Sequence, residues 1–198
     1  MFNMRIIARI DIKNNFVIKG INLEGLRKVG DPYELITKYY EQGINEIIIQ
    51  DSVASLYGRN NLFDFIKSIT KEIFIPITLG GGITSLSDIE KALKSGADKV
   101  AINSKALEDP NFIKQASNEF GSSTIVSSIE AKKISDNLWE PYKFCGRERT
   151  NINIVEWIKI IQENDCGEIL LTSIDHEGTK QGFDLEMINS LYKILLNR

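Results

Sequence analysis

Two carboxylates end two similar segments, Asp11 closing RIIARID and Glu130 closing TIVSSIE. A reaction that protonates one atom and deprotonates another needs two titratable groups whose environments separate their pKa values, and a half-buried pair supplies them. A second chemical feature is the triplet Gly80, Gly81 and Gly82, which directly follows PITL and precedes a helix start. Glycine lets backbone approach an anion closely, and N–H groups at a helix N-terminus stabilise phosphate. Ala101-Ile102-Asn103-Ser104 ends the next apolar run and offers neighbouring donors. Plainer readings stay open: Asp11 and Glu130 could simply pair with Lys13, Lys19 or Lys132, and a glycine triplet also serves a tight turn.

Such residues need a scaffold, and 198 residues with a net charge of −3 suffice for one domain with a real core. Lys and Arg are spread without blocks, which leaves no footprint for a nucleic acid polymer or an anionic membrane. The start MFNMRIIARIDIK carries charge too early for a signal peptide, and no run approaches spanning length, so the expected location is the cytoplasm. Cys145 and Cys166 stand singly and read as reduced thiols. With His176 as the single histidine, no multi-histidine metal cage can form, and no metal is expected.

Short β-branched runs alternate with amphipathic segments throughout, the pattern of repeated βα units on a parallel sheet. The expected strands are 5 to 11, 46 to 51, 74 to 79, 98 to 103, 124 to 130 and 168 to 173, each followed by a helix. Ser87 with Glu90 reads as a capping box, Asp109 precedes Pro110 at a first-turn position, and Asp184 precedes a helix carrying Met187, Ile188 and Leu191. Asp11 is echoed by Glu130, and Glu46 in NEIIIQD by Glu168 in GEILLTS, both at an offset of about 120 residues. One long offset implies two fused halves of four units each, hence a TIM (β/α)8-type barrel with about six of its eight units in residues 1–198 as a single domain. The expectation follows that the last two units are missing, through truncation or closure by a partner.

Side chains of equal parity share a strand face. Arg5, Glu46, Lys99 and Glu168 then form a charged ring at the barrel floor. Asp11, Asp51, Thr78, Asn103, Glu130 and Thr172 form the polar mouth, where active sites of such barrels lie.

RIIARIDIKNNFVIKG, GDPYELITKYYEQGINEIIIQD, IPITLGGGI, GADKVAINS and GEILLTSID resemble, in order and spacing, the cyclase subunit of imidazole glycerol phosphate synthase. The resemblance implies an eightfold barrel in histidine biosynthesis that takes ammonia from a glutaminase partner through its own core. It implies turnover of a phosphorylated nucleotide to imidazole glycerol phosphate and an aminoimidazole carboxamide nucleotide, without a cofactor. Residue by residue, Asp11 matches a catalytic carboxylate and Lys19 a substrate-holding lysine on a mobile first loop. Gly82, with Asn103 and Ser104, matches a phosphate site. Arg5, Glu46, Lys99 and Glu168 match the ammonia gate, and Asp98 the glutaminase interface. Gly81, Glu177 and Gly178 join the expected substrate contacts.

The departures are Glu130 in place of the family's second catalytic aspartate, Glu177 in place of a second aspartate, and Arg9 in place of a small residue. Arg9 is expected inside the barrel, paired with Glu130 or narrowing the ammonia path. The ring itself admits a second reading as a salt-bridge plug. Altered acids beside a kept ring also suit a paralogue that amidinates a sugar nucleotide in surface glycan synthesis. A third reading is an idle fragment that binds phosphate or a partner without turnover.

Overall fold

The computed structural model describes residues 4–52 and 62–196. They fall into two compact units, Met1–Lys19 with Arg27–Ala101, and Gly20–Leu26 with Ile102–Arg198. In chain order the elements are β1 (Ile7–Lys13), β2 (Phe16–Ile21), β3 (Glu24–Gly30), α1 (Pro32–Glu41), β4 (Glu46–Asp51), α2 (Leu62–Ile69), β5 (Ile77–Gly80), α3 (Leu86–Lys94) and β6 (Lys99–Ile102). There follow α4 (Ser104–Glu108), α5 (Asn111–Phe120), β7 (Ile125–Ser135), β8 (Leu138–Lys143), β9 (Glu148–Arg149), α6 (Ile154–Glu163), β10 (Glu168–Ser173) and α7 (Leu185–Leu196). This is a mixed α/β fold with mainly parallel pairing between the long strands, of the TIM type.

In the first unit β1, β4, β5 and β6 pair in parallel, and β2 folds back antiparallel on the end of β1. Register fixes two kinds of layer. Ile10, Ile49, Leu79 and Val100 align and are all buried, as expected of a face covered by crossover helices. Arg9, Ile48, Thr78 and Lys99 align on the opposite face, with Asp11, Gln50, Gly80 and Ala101 one layer further on. In the second unit β7 pairs in parallel with β10 and antiparallel with β8, which continues to β9.

The strand expectations hold at all six places. Two have the anticipated bounds, and the expected 74 to 79 begins only at Ile77. Pro76 has no N–H for a ladder and contributes only its carbonyl, which accepts from the Ile47 N–H at 3.0 Å. The capping box of α3 is Ser85 with Asp88, two residues before the expected Ser87 and Glu90. Both pairs have the same spacing, but Ser85 has the extended backbone of a cap (φ −142°, ψ 160°), and its hydroxyl accepts from the Asp88 N–H. Pro110 is the residue before α5 and not in its first turn, and Asp109 pairs with Lys105 at 3.6 Å. Asp184 does cap α7: its carboxylate accepts from the Met187 N–H at 3.0 Å and from the Ser173 hydroxyl at 2.7 Å.

Two antiparallel additions were not foreseen, β2 with β3 and β8 with β9. Each is entered through a tight turn with an asparagine at positive φ, Asn14 at 54° and Asn137 at 56°. The second is stabilised by Glu140, whose buried carboxylate accepts from the Arg149 guanidinium at 2.8 and 3.1 Å and from the Thr150 and Asn151 N–H groups at 2.9 and 2.6 Å. Burial pushes the Glu140 carboxyl up, but the Arg149 bonds and the two backbone donors together hold it below the usual range. A carboxylate lowered in the folded state adds stability above its unfolded pKa and loses it as pH falls through the folded value. The unfolding midpoint in urea should therefore separate wild type from Glu140→Gln more at pH 7 than at pH 4. Equal gaps at both pH values would show that the carboxylate contributes no linkage.

Candidate functional site

The first chemical feature of the first unit is a buried acid. Glu46 opens β4 at 2% exposure, and three donors converge on it. Arg5 donates to Oε2 at 2.9 Å, Lys99 to both oxygens at 3.1 and 3.3 Å, and the Thr78 hydroxyl to Oε1 at 3.0 Å. Arg5, Glu46 and Lys99 are thus brought together as expected from parity. Thr78 is a correction, since it was assigned to the mouth and instead bonds the floor acid. The register explains it: Thr78 aligns with Ile48 and Lys99, one layer below Gln50 and Gly80.

Asp11 lies in the upper layer, buried, opposite Gln50. The Arg9 guanidinium donates to Asp11 Oδ1 at 2.8 Å, so its carboxylate partner within this unit is Asp11. Asp51, at the carboxyl end of β4, aligns with Ile12 and so belongs to the alternate layer from Asp11. The glycine triplet serves close packing as well as conformation. A Cβ on Gly80 would lie 2.1 Å from the Gln50 amide oxygen, and one on Gly81 would lie 2.3 Å from the Asp51 carbonyl. Gly81 and Gly82 have φ of 95° and 68°, conformations that side chains resist. Lys19 is exposed on β2, and the exposed Asp98 accepts from the Ile77 N–H at 2.8 Å.

In the second unit Glu130 is 1% exposed and aligns with Thr172 on β10, while Glu168 aligns with Val126 on the same face. The Asn103 amide donates to Glu130 Oε2 at 3.0 Å and to the Tyr142 carbonyl at 3.2 Å. Ser104 accepts from the Phe144 N–H at 3.0 Å. Both expected phosphate ligands are therefore engaged by the β8 hairpin or by Glu130, contacts that the sequence reading missed. The available signal was the Asp136-Asn137 turn followed by the aromatic-bearing run LWEPYK. The loop after β10 carries Glu177 and Gly178. The Asn22 N–H donates to the Glu177 carbonyl at 2.7 Å, and its side-chain amide to the carbonyls of Ile174 and Asp175 at 2.9 and 2.8 Å. A Cβ on Gly178, whose φ is 75°, would meet the Gly20 carbonyl at 2.0 Å, so glycine permits this backbone approach.

The arrangement offers buried acids held by fixed donors, and glycines that expose backbone, as acid–base and anion-binding chemistry requires. The model of a family described as histidine biosynthesis protein matches residues 5–196. This chain belongs to that family. A Legionella pneumophila relative named imidazole glycerol phosphate synthase subunit HisF is 51% identical over 96% of this chain and 90% of its own length. Relatives of the same name from Streptococcus mutans and Thermococcus onnurineus are 42% and 44% identical, over 98% and 96% of this chain and 77% and 75% of theirs. No helix among the described residues is long and apolar enough to cross a membrane.

Truncating one member of a buried ion pair strands the other, typically at about 3 to 5 kcal/mol. Lys99, at 14% side-chain exposure, is the partner most exposed to that penalty. Glu46→Ala should therefore lower unfolding stability by roughly 3 kcal/mol. Glu46→Gln, which keeps a hydrogen-bond acceptor for Thr78, should lose less. A urea midpoint unchanged in Glu46→Ala would remove the cluster as a stabilising feature.

Proposed function

We propose that this chain is the cyclase subunit of imidazole glycerol phosphate synthase and acts in histidine biosynthesis. The observation that carries the reading is likeness over almost the whole chain to relatives bearing that name, at 42 to 51% identity. The enzyme takes ammonia from a glutaminase subunit and uses it on a phosphorylated nucleotide, giving imidazole glycerol phosphate and an aminoimidazole carboxamide nucleotide. No cofactor enters the scheme.

Asp11 and Glu130 are the acid and base of this proposal. Support for Asp11 is its burial with a bonded guanidinium, and for Glu130 its burial with the Asn103 amide. Each carboxylate is thereby fixed in orientation, which acid–base catalysis requires because small misplacement is costly in rate. Gly81, Gly82, Asn103 and Ser104 hold one phosphate; Lys19, Thr172, Glu177 and Gly178 complete the substrate contacts. Arg5, Glu46, Lys99 and Glu168 gate ammonia, and the exposed Asp98 faces the glutaminase. The cytoplasm suits Cys145 and Cys166 as reduced cysteines.

One observation favours a second reading, a paralogue that amidinates another acceptor such as a sugar nucleotide. Arg9, where the resemblance leads one to expect a small residue, sits directly on Asp11. Turnover decides between them. With ammonium salt as nitrogen donor the chain should consume the histidine-pathway nucleotide, and Asp11→Asn should lower that rate by on the order of a hundredfold or more while phosphate binding persists. No consumption of that nucleotide would overturn the main reading, and normal turnover by Asp11→Asn would overturn the acid–base assignment.

A further inference from the structure

Along β4 the residues on the face opposite the helices are Glu46, Ile48 and Gln50, all buried. They rise from the charged cluster to the level of Asp11, a path of roughly 13 Å at the usual strand rise. Gln50 is the unusual member. Its side chain is inside the protein at 6% exposure, and its amide oxygen is buried with no hydrogen-bond partner among the described residues. Leaving a buried carbonyl unpaired is unfavourable, and native structures keep few such groups without a reason in function or in a bound molecule.

The neighbouring wall residues are small. Gln50 aligns with Asp11 on one side and Gly80 on the other, and Gly80 aligns with Ala101. The amide lies over Gly80, where any side chain would collide with it, and the next wall residue carries only a methyl group. The terminal torsion of a glutamine is broad, so an amide bordered by Gly80 and Ala101 can turn its oxygen toward a donor. A neutral carbonyl demands a donor but no charge. Ammonia, uncharged and carrying N–H donors, matches that demand, whereas a cation would be left without a countercharge at this level, because the Asp11 carboxylate is already bonded by Arg9.

We propose that the Gln50 side-chain carbonyl is a hydrogen-bonding station for ammonia between the Glu46 cluster and Asp11, which makes Gln50 a positioning residue for the nitrogen donor. The inference rests on the ammonia-using function proposed above. Wild type, Gln50→Leu and Gln50→Glu are assayed with ammonium salt as nitrogen donor and the nucleotide saturating. Leucine keeps the volume without an acceptor, and glutamate keeps an oxygen acceptor. For Gln50→Leu, the KM for ammonium should rise about fivefold or more, the scale of one lost hydrogen bond, and the KM for the nucleotide should stay within about twofold of wild type. Gln50→Glu should recover much of the ammonium KM. Wild-type turnover with an unchanged ammonium KM in Gln50→Leu overturns this inference and leaves the proposed function standing. A fall in the maximal rate with unchanged ammonium KM also overturns it, by showing that Gln50 acts on Asp11. Absence of wild-type turnover overturns the function itself and this inference with it. Because leucine removes an unpaired buried acceptor, Gln50→Leu should also unfold at an equal or higher temperature; a lowered melting temperature would show that the oxygen has a structural partner, contrary to the inference.

Discussion

The buried carboxylate of Glu46 is the constraint on which the first unit depends. A charge taken out of water needs a countercharge and hydrogen bonds to the rest of its oxygens. Here the donors come from separate segments: Arg5 before β1, Thr78 on β5 and Lys99 at the start of β6. Only one ordering of strands presents all three to one acid. Any slip of one residue would exchange Thr78 for a hydrophobic neighbour and bury a charge without its partners. The polar cluster thus fixes register that the apolar layer alone would define less sharply, since Ile47, Ile48 and Ile49 are interchangeable in hydrophobicity.

Much of this was legible in period alone. β-branched runs marked the parallel strands, and parity grouped Arg5, Glu46 and Lys99 before any coordinates did so. What parity did not convey was height. Thr78 and Asp11 share a face but lie one layer apart, because adjacent strands start at different levels, and that offset is a property of pairing rather than of either strand. Asp51 shows the converse: it closes β4, yet its register partner is Ile12, in the alternate layer from Asp11.

The hairpins were hidden for another reason. LWEPYK contains a proline in mid-run, which normally argues against a strand. Pro141 is tolerated opposite Ala131 in an antiparallel pair, and the buried Glu140 beside it is satisfied by Arg149 and two backbone donors. The sequence carried the Asp-Asn turn, but the partner that rescues a buried acid lies nine residues on, beyond any local rule. The same hairpin supplies the carbonyl of Tyr142 and the N–H of Phe144 to Asn103 and Ser104. The hairpin therefore helps to orient Asn103, whose amide also bonds Glu130.

Arg9 shows how one residue can orient a buried carboxylate two positions further along its own strand. A guanidinium stays charged and donates in a fixed planar fork, unlike an ammonium that rotates freely. Its Nε–H donates to Asp11 Oδ1 at 2.8 Å and so restrains the orientation of the carboxylate. A small residue at this position would impose no such restraint. The arginine thus restrains the Asp11 carboxylate from one layer below it.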